Sequence, residues 1–353
     1  MKYLRLLLFP FSLIYGFVIM IRNWCYDAGL FQSKQFELPV ISVGNLEVGG
    51  AGKSPMTEYL IRLFKNDYKL ATLSRGYGRK TKGYQIATAT ANATKIGDEP
   101  AQFKHKFPDI TVAVCEKRVD GIEQLKASHD LIILDDAYQH RAVKPGLSIL
   151  LFDYNSLNNL HLVLPAGNYR EPFSGRWRAD IIIISKCPEL LSADEQAVIT
   201  AHMGLLPYQQ LFFTTISYQP LQAMDGNLPA INIDTDTTVF LLTGIANANP
   251  LITYIKNHTS HVIHHNYPDH HCFSLKNITK LADEFTACIS QKKVIITTEK
   301  DAQRLGEQQL LPLVKKLPIM VIPIGVKFLN QQQQFDQFVI EYVRKYREHH
   351  PIH

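Results

Sequence analysis

A lysine and a serine at the close of a glycine-rich bend are the first residues in this chain whose types and spacing could do chemistry. In Pro39-Val40-Ile41-Ser42-Val43-Gly44-Asn45-Leu46-Glu47-Val48-Gly49-Gly50-Ala51-Gly52-Lys53-Ser54-Pro55, glycines at 49, 50 and 52 allow backbone conformations closed to other residues. Successive amide N–H groups can then turn inward around phosphate oxygens. Lys53 would reach the outer phosphates of a nucleotide, and the Ser54 hydroxyl would meet Mg2+. The nucleotide-binding set is therefore Glu47, Val48, Gly49, Gly50, Ala51, Gly52, Lys53 and Ser54, with Glu47 standing where the fullest form of the loop has glycine.

Carboxylates supply the second signal. Leu131-Ile132-Ile133-Leu134-Asp135-Asp136 sets two acids after an apolar run suited to a strand buried on both faces, where an aspartate holds Mg2+ directly or through water. Gln139 continues along the same edge. Gly97-Asp98-Glu99-Pro100 opens a helix with two acids in its first turn, which helix capping alone would also explain. Ser74-Arg75-Gly76-Tyr77-Gly78-Arg79 interleaves glycine, cation and tyrosine after a strand, as a sugar-phosphate contact or as a solvated basic loop. Arg118 and the Arg170-Glu171-Pro172 turn follow other strands.

The elements that must position these groups are legible from pattern. Val40, Ile41 and Val43 form a strand before the bend, and Met56 to Phe64 a helix after it, which is the order of a phosphate-binding loop. Further buried strands are predicted at Leu70–Leu73, Thr111–Cys115, Leu131–Leu134, Leu147–Phe152 and Ile181–Ile184. From Phe212 to Ile233 the helical period fails and Pro220, Gly226 and Pro229 punctuate two short extended segments. Strand and helix then alternate again, from Thr238–Thr243 to Met320–Ile324 and a last helix. At 353 residues two domains are expected. The prediction is an α/β chain: an N-terminal membrane-interface helix over 1–30, a P-loop, three-layer α/β/α domain over 31–215, a two-stranded linker over 216–235, and a second, smaller α/β domain over 236–353.

Composition narrows the setting. The formal charge of +5 favours an anionic partner without selecting one. Five widely spaced cysteines lack any C-x-x-C and suit a reducing compartment. The apolar run from Leu6 to Ile21 spans roughly 24 Å as a helix at ~1.5 Å per residue, short of a ~30 Å hydrocarbon core, and Pro10 would weaken it. A helix lying in the membrane interface, with Trp24 and Tyr26 near the headgroups, fits better than a span or a cleaved signal. Histidines at 258, 261, 264, 265, 270 and 271 cluster without the carboxylate or cysteine that would complete a zinc motif.

Taken jointly, these motifs resemble the tetraacyldisaccharide 4′-kinase family, the lipid A 4′-kinases of Gram-negative bacteria. The resemblance runs in family order through Gly44-Asn45-Leu46 on to Gly49-Gly50-x-Gly52-Lys53-Ser54-Pro55, Leu73-Ser74-Arg75-Gly76-Tyr77-Gly78-Arg79, Gly97-Asp98-Glu99-Pro100, Leu134-Asp135-Asp136-x-Tyr138-Gln139-His140, Arg170-Glu171-Pro172, Tyr267-Pro268-Asp269-His270-His271 and Thr297-Thr298-Glu299-Lys300-Asp301. It implies ATP-dependent phosphorylation of the 4′-hydroxyl of a tetraacylated glucosamine disaccharide 1-phosphate, with ATP and Mg2+, at the cytoplasmic face of the bacterial inner membrane. It also implies Asp98 and His270 as the pair that activates the hydroxyl, with Lys53 on phosphate. Ser54, Asp135, Asp136 and Gln139 would serve the metal, and Arg75, Tyr77, Arg118, Arg170 and Glu171 the lipid substrate. Ala51 and Ser54 stand where threonine is common, Asn168-Tyr169 replaces Pro-Leu, and Ala246 to Pro250 is longer than the family turn.

A different class remains in view: a membrane-associated P-loop switch ATPase whose nucleotide state controls partner binding. Such proteins carry a signature lysine where this chain has Val48. The chain lacks the aromatic-basic repeats of a nucleic-acid ATPase, so no nucleic acid is expected, and no obligate protein partner is evident.

Overall fold

The computed structural model describes residues 5–224, 232–269 and 271–349. Helix α1 (Phe9–Asp27) carries Pro10 in its first turn, where a missing N–H costs nothing, so the penalty expected of a mid-helix proline does not arise. Strand β1 (Val40–Asn45) is buried at every position, and the glycine-rich bend leads from it into α2 (Lys53–Phe64). The chain continues through β2 (Leu70–Ser74), β3 (Gln85–Ile86), α3 (Ala93–Ile96), α4 (Asp98–Lys106), β4 (Thr111–Val114), α5 (Arg118–Leu125) and β5 (Leu131–Asp135). Strands β6 (Leu147–Asp153) and β7 (Ile181–Ser185), helix α6 (Ala193–Met203) and strand β8 (Gln210–Tyr218) complete this pass.

These strands build one 9-stranded sheet in the order β14-β8-β7-β6-β1-β5-β2-β4-β3, in which β14 (Ile324–Phe328) arrives from far down the chain. Every neighbouring pair from β8 to β4 is parallel, and only the two edge strands run antiparallel. Side chains alternate along β1: Ile41 and Val43 pack with Met56, Leu60 and Ile61 of α2, whereas Val40 faces Ile122 and Leu125 of α5. Helices on both faces produce the predicted three layers. Since β1 has β5 on one side and β6 on the other, the chain winds both ways from it, and the crevice at its carboxyl end is the switch point where α/β sheets bind ligands.

After β9 (Gln222–Ala223) a second sheet forms from β10 (Thr238–Thr243), β11 (Val262–Asn266), β12 (Lys293–Thr298) and β13 (Ile319–Ile322), in the order β11-β10-β12-β13-β9. Helices α7 (Asn249–Lys256), α8 (Leu275–Ala287), α9 (Glu299–Leu305) and α10 (Leu311–Val314) connect its parallel strands.

Two expected boundaries are corrected. Residues 324 onward were assigned to the second domain, but β14 pairs antiparallel with β8, and α11 (Gln332–His349) buries Phe335, Val339 and Val343 in the core under α2. The predicted strand Met320–Ile324 breaks at Pro323, which cannot donate to a ladder, and the chain changes sheets there. Nor does the linker lie wholly within 216–235. One of its strands is the end of β8 running into β9, and the other is β13 running into β14, tied by Gln219 N donating to Pro323 O at 2.9 Å.

Candidate active site

The bend after β1 is held from three sides. Gly44 has no room for a side chain, because a Cβ there would stand 2.5 Å from Tyr138 Cβ; its absence lets the loop after β5 lie against β1. Gly52 adopts φ +83° at the first residue before α2, a conformation that favours glycine. Ser185 Oγ donates to Ala51 O at 2.8 Å, and Val48 N donates to Asn168 O at 2.8 Å. The Glu47 carboxylate accepts from Ser156 Oγ, so this residue braces the loop, while Val48, Gly49 and Gly50 are exposed at its mouth. Lys53 Nζ donates to Asn45 Oδ1 at 3.0 Å and lies 3.6 Å from Asp136 Oδ1. Ser54 is buried beneath it.

Asp135 ends β5 beside this lysine, and Thr57 of α2 donates to its Oδ1 at 3.1 Å. Burial, then the neighbouring Glu99 and Asp136 carboxylates, push its carboxyl up to about 7. Asp136 turns out of the strand at φ +48° and receives Arg170 Nη1 at 3.0 and 3.1 Å. Burial alone would raise the Asp136 carboxyl, but Lys53 and Arg170 outweigh it and hold the group below the ordinary carboxylate range. Among the described residues no group of three or more His, Cys, Asp or Glu could hold a metal by itself. A buried carboxylate whose ionised form wants a cation, at the strand end that faces the bend, still suits Mg2+, which takes one or two protein oxygens and completes its shell with phosphates and water.

The expected substrate contacts divide. Arg75 and Tyr77 are exposed at the same sheet edge. Arg118 is buried, donates to the Cys115 and Glu116 carbonyls, and burial brings its guanidinium down to about 10. Arg170 is committed to Asp136. Glu171 is fully buried, with Oε1 taking Arg178 and Gln139 and Oε2 taking Asn23, so in this structure it orders the loop. Gln139 likewise acts as a brace, donating to Asn45 O at 2.8 Å. Burial, followed by the fields of Arg118, Arg75 and Arg22, drives the His140 imidazole down to about 4, so three arginines, Arg22 of α1 among them, act on this edge.

Asp98 opens α4 after Gly97, whose φ of +95° and tight packing on Tyr77 O leave no room for a side chain. Across from it stands α9 of the second sheet. Arg304 donates Nη2 and Nε to Asp98 Oδ2 at 2.8 and 3.2 Å, and Lys300 pairs with Glu99 at 3.0 Å. Lys106 at the far end of α4 joins the buried Glu58 of α2 to Glu299. His270 lies outside the described residues. Its neighbours pass over Gly244, where a Cβ would meet Asp301 Oδ1 at 3.1 Å and His271 Cβ at 3.2 Å. Sequence reasoning gave no role to Asn45, Thr57, Lys300 or Arg304, although Asn45 and Lys300 lie inside the family motifs; Arg304, outside every motif, left only the trace of standing three residues beyond Asp301 on one helical face.

Helix α1 docks by its polar side. Ser12 Oγ accepts from Ala166 N at 2.9 Å, Tyr15 donates to Arg170 O at 2.8 Å, and Arg5 donates to Gly167 O at 2.6 Å. Gly16 lies against the same loop. Phe11, Leu13, Ile14, Phe17, Val18, Met20 and Trp24 are left exposed on the other side, the inverse of a helix that covers a core. No described helix is long and apolar enough to cross a membrane.

A profile of the family described as tetraacyldisaccharide-1-P 4′-kinase matches residues 4–344. The chain is 45% identical over 347 residues to a tetraacyldisaccharide 4′-kinase of Phocaeicola vulgatus, covering 96% of this chain and 95% of the relative. To the protein of the same description from Flavobacterium johnsoniae it is 43% identical over 349 residues, with 98% and 99% covered. A crystal structure of LpxK from Aquifex aeolicus, an "apo" form in complex with ATP, superposes with a TM-score of 0.74 at 27% identity, covering 96% of this chain and 99% of that one.

Proposed function

We propose, from the premise that this chain belongs to the tetraacyldisaccharide-1-P 4′-kinase family, a division of labour among its residues for a reaction that the family fixes. The chain is a lipid kinase that transfers a phosphoryl group from ATP to the 4′-hydroxyl of tetraacyldisaccharide 1-phosphate, a step of lipid A biosynthesis.

The bend over Glu47–Ser54 receives the triphosphate, and Lys53 leaves Asn45 and Asp136 to neutralise its terminal oxygens. Ser54 and Asp135 would hold Mg2+, which would offset the phosphate charge, and Asp136, which holds Lys53 at the crevice until nucleotide arrives, keeps Arg170 aimed there. Asp98 takes the proton of the sugar hydroxyl as its oxygen bonds to the γ-phosphorus and the bond to the β-phosphate oxygen breaks, releasing ADP. His270 is assigned to the base with it. Arg75, Tyr77 and the cationic edge around Arg118 meet the substrate's anionic sugar. The exposed apolar side of α1 lies in the bilayer that holds the acyl chains, a peripheral attachment on the cytoplasmic face, where ATP is found.

The observation that supports this reading most is the convergence of Lys53, Asp135 and Asp136 at the switch point of the sheet, with Glu99, next to Asp98 on α4, close enough for its charge to act on Asp135. Purified protein with ATP, Mg2+ and detergent-dispersed disaccharide 1-phosphate should yield the bisphosphorylated lipid, and Asp98→Ala should bind ATP yet lose turnover by about 100-fold or more. An Asp98→Ala variant with near-normal turnover removes Asp98 from the chemistry.

A further inference from the structure

We propose that Arg304, on the second unit, is the positioning residue for Asp98, so that the hydroxyl-activating carboxylate is correctly oriented only while the two units are docked. The inference rests on the reading of Asp98 as the base, and it adds a residue that the sequence motifs did not single out.

Arg304 is only 5% exposed, and its guanidinium is fixed by its own unit before Asp98 is considered. Nη1 donates to Gly244 O at 3.0 Å and to Asp301 Oδ1 at 3.0 Å. Asp301 is fully buried, and its Oδ2 accepts from Gly244 N at 3.0 Å and from Thr298 Oγ1 at 2.7 Å. Nη1 is thereby tied down, which aims Nε and Nη2 outward; both converge on one oxygen, Asp98 Oδ2. On the other side the backbone that carries Asp98 is set by the packing of Gly97 against Tyr77 O at the start of α4. Two rigid supports, 206 residues apart in sequence, therefore meet in one ion pair.

A guanidinium has donors only and keeps its charge throughout the physiological range. Arg304 therefore cannot accept the hydroxyl proton; it can only set the plane of the carboxylate, and the proton ends on Asp98 when transfer is complete. This pair is not alone at the seam. Glu99 with Lys300, Lys106 with Glu299, and His105 with Gln303 at 2.7 Å hold the same seam of α4 and α9. A pair that does not hold the seam alone, yet converges on the reactive acid, is one whose removal should act on turnover.

Steady-state kinetics on full-length Arg304→Gln, Arg304→Lys, Asp98→Asn and the Arg304→Gln/Asp98→Asn double variant test the inference, with ATP affinity as the check on folding. Arg304→Gln should lower kcat by about 100-fold while KM for ATP and for lipid stays within about threefold, and Arg304→Lys should recover part of the loss. In the Asp98→Asn background, Arg304→Gln should cost less than about twofold more, since it would act through a carboxylate already gone. Losses that multiply in the double variant, or a KM defect with kcat preserved, would reduce Arg304 to interdomain glue and overturn the inference. If Asp98→Asn is itself fully active, the assignment of the base fails instead, and the inference falls with it.

Discussion

The ammonium of Lys53 donates to the side-chain oxygen of Asn45 at 3.0 Å, so the last residue of the central strand receives the cation of the helix that follows the bend. Asn45 thus holds the lysine over the crevice before a nucleotide arrives, and its own Nδ2 is buried without a protein partner. Lys53→Ala should reduce turnover by about 100-fold or more, and Asn45→Ala by roughly tenfold with weaker ATP binding. Isothermal titration with ATP and a product assay separate the two effects; an Asn45→Ala enzyme with unaltered ATP affinity would refute the positioning role.

Asp135 gives the site a stability signature. Burial and nearby acids push its carboxyl from an ordinary 3.8 up to about 7. The folded protein therefore holds this proton longer than the unfolded chain does. Its contribution to stability is full below 3.8 and is lost as pH rises through about 7. Asp135→Asn should flatten that decline, stabilise the metal-free protein at pH 8 by on the order of 1–3 kcal/mol, and weaken Mg2+-dependent turnover. Thermal melts across pH, beside Mg2+ titrations of activity, check both halves.

Glu171 should behave as a structural acid. Removing it leaves Arg178 without its carboxylate and cuts the link from Asn23 of α1. Glu171→Ala should cost about 2–4 kcal/mol in urea unfolding. A variant of wild-type stability with only a raised KM for lipid would return Glu171 to the substrate-contact set.

The outer side of α1 supplies a separable phenotype. Leu13→Ser, Phe17→Ser and Met20→Ser together touch only exposed apolar positions, so melting should change little while sedimentation with anionic vesicles falls severalfold. Vesicle binding equal to wild type would place the membrane contact elsewhere.

Much of the site was legible because its chemistry lies in contiguous motifs: the bend over Glu47–Ser54, the acids at 135 and 136, and Asp98 all take local positions that strand, loop and helix dictate. What was hidden depends on contacts between distant segments. The resemblance implies a substrate contact for Glu171, and only the arrival of Arg178 and Asn23 makes it interior. Arg304 meets Asp98 across 206 positions that no local period reports. The assignment of β14 failed for a similar reason, since a short apolar strand suits either sheet and only its pairing with β8 decides.

That pairing has a mechanical consequence. Because β8 leaves the large sheet next to the strand by which the chain returns, the smaller lobe is an inserted module hung on two adjacent straps. Straps side by side permit rocking about one axis and resist twisting, so any swing of the lobe would carry Arg304 toward or away from Asp98 along a nearly fixed arc. The terminal helix, meanwhile, wedges beneath the helix that bears Lys53, so clipping the protein's tail would loosen the nucleotide-binding lobe and leave the hanging module intact.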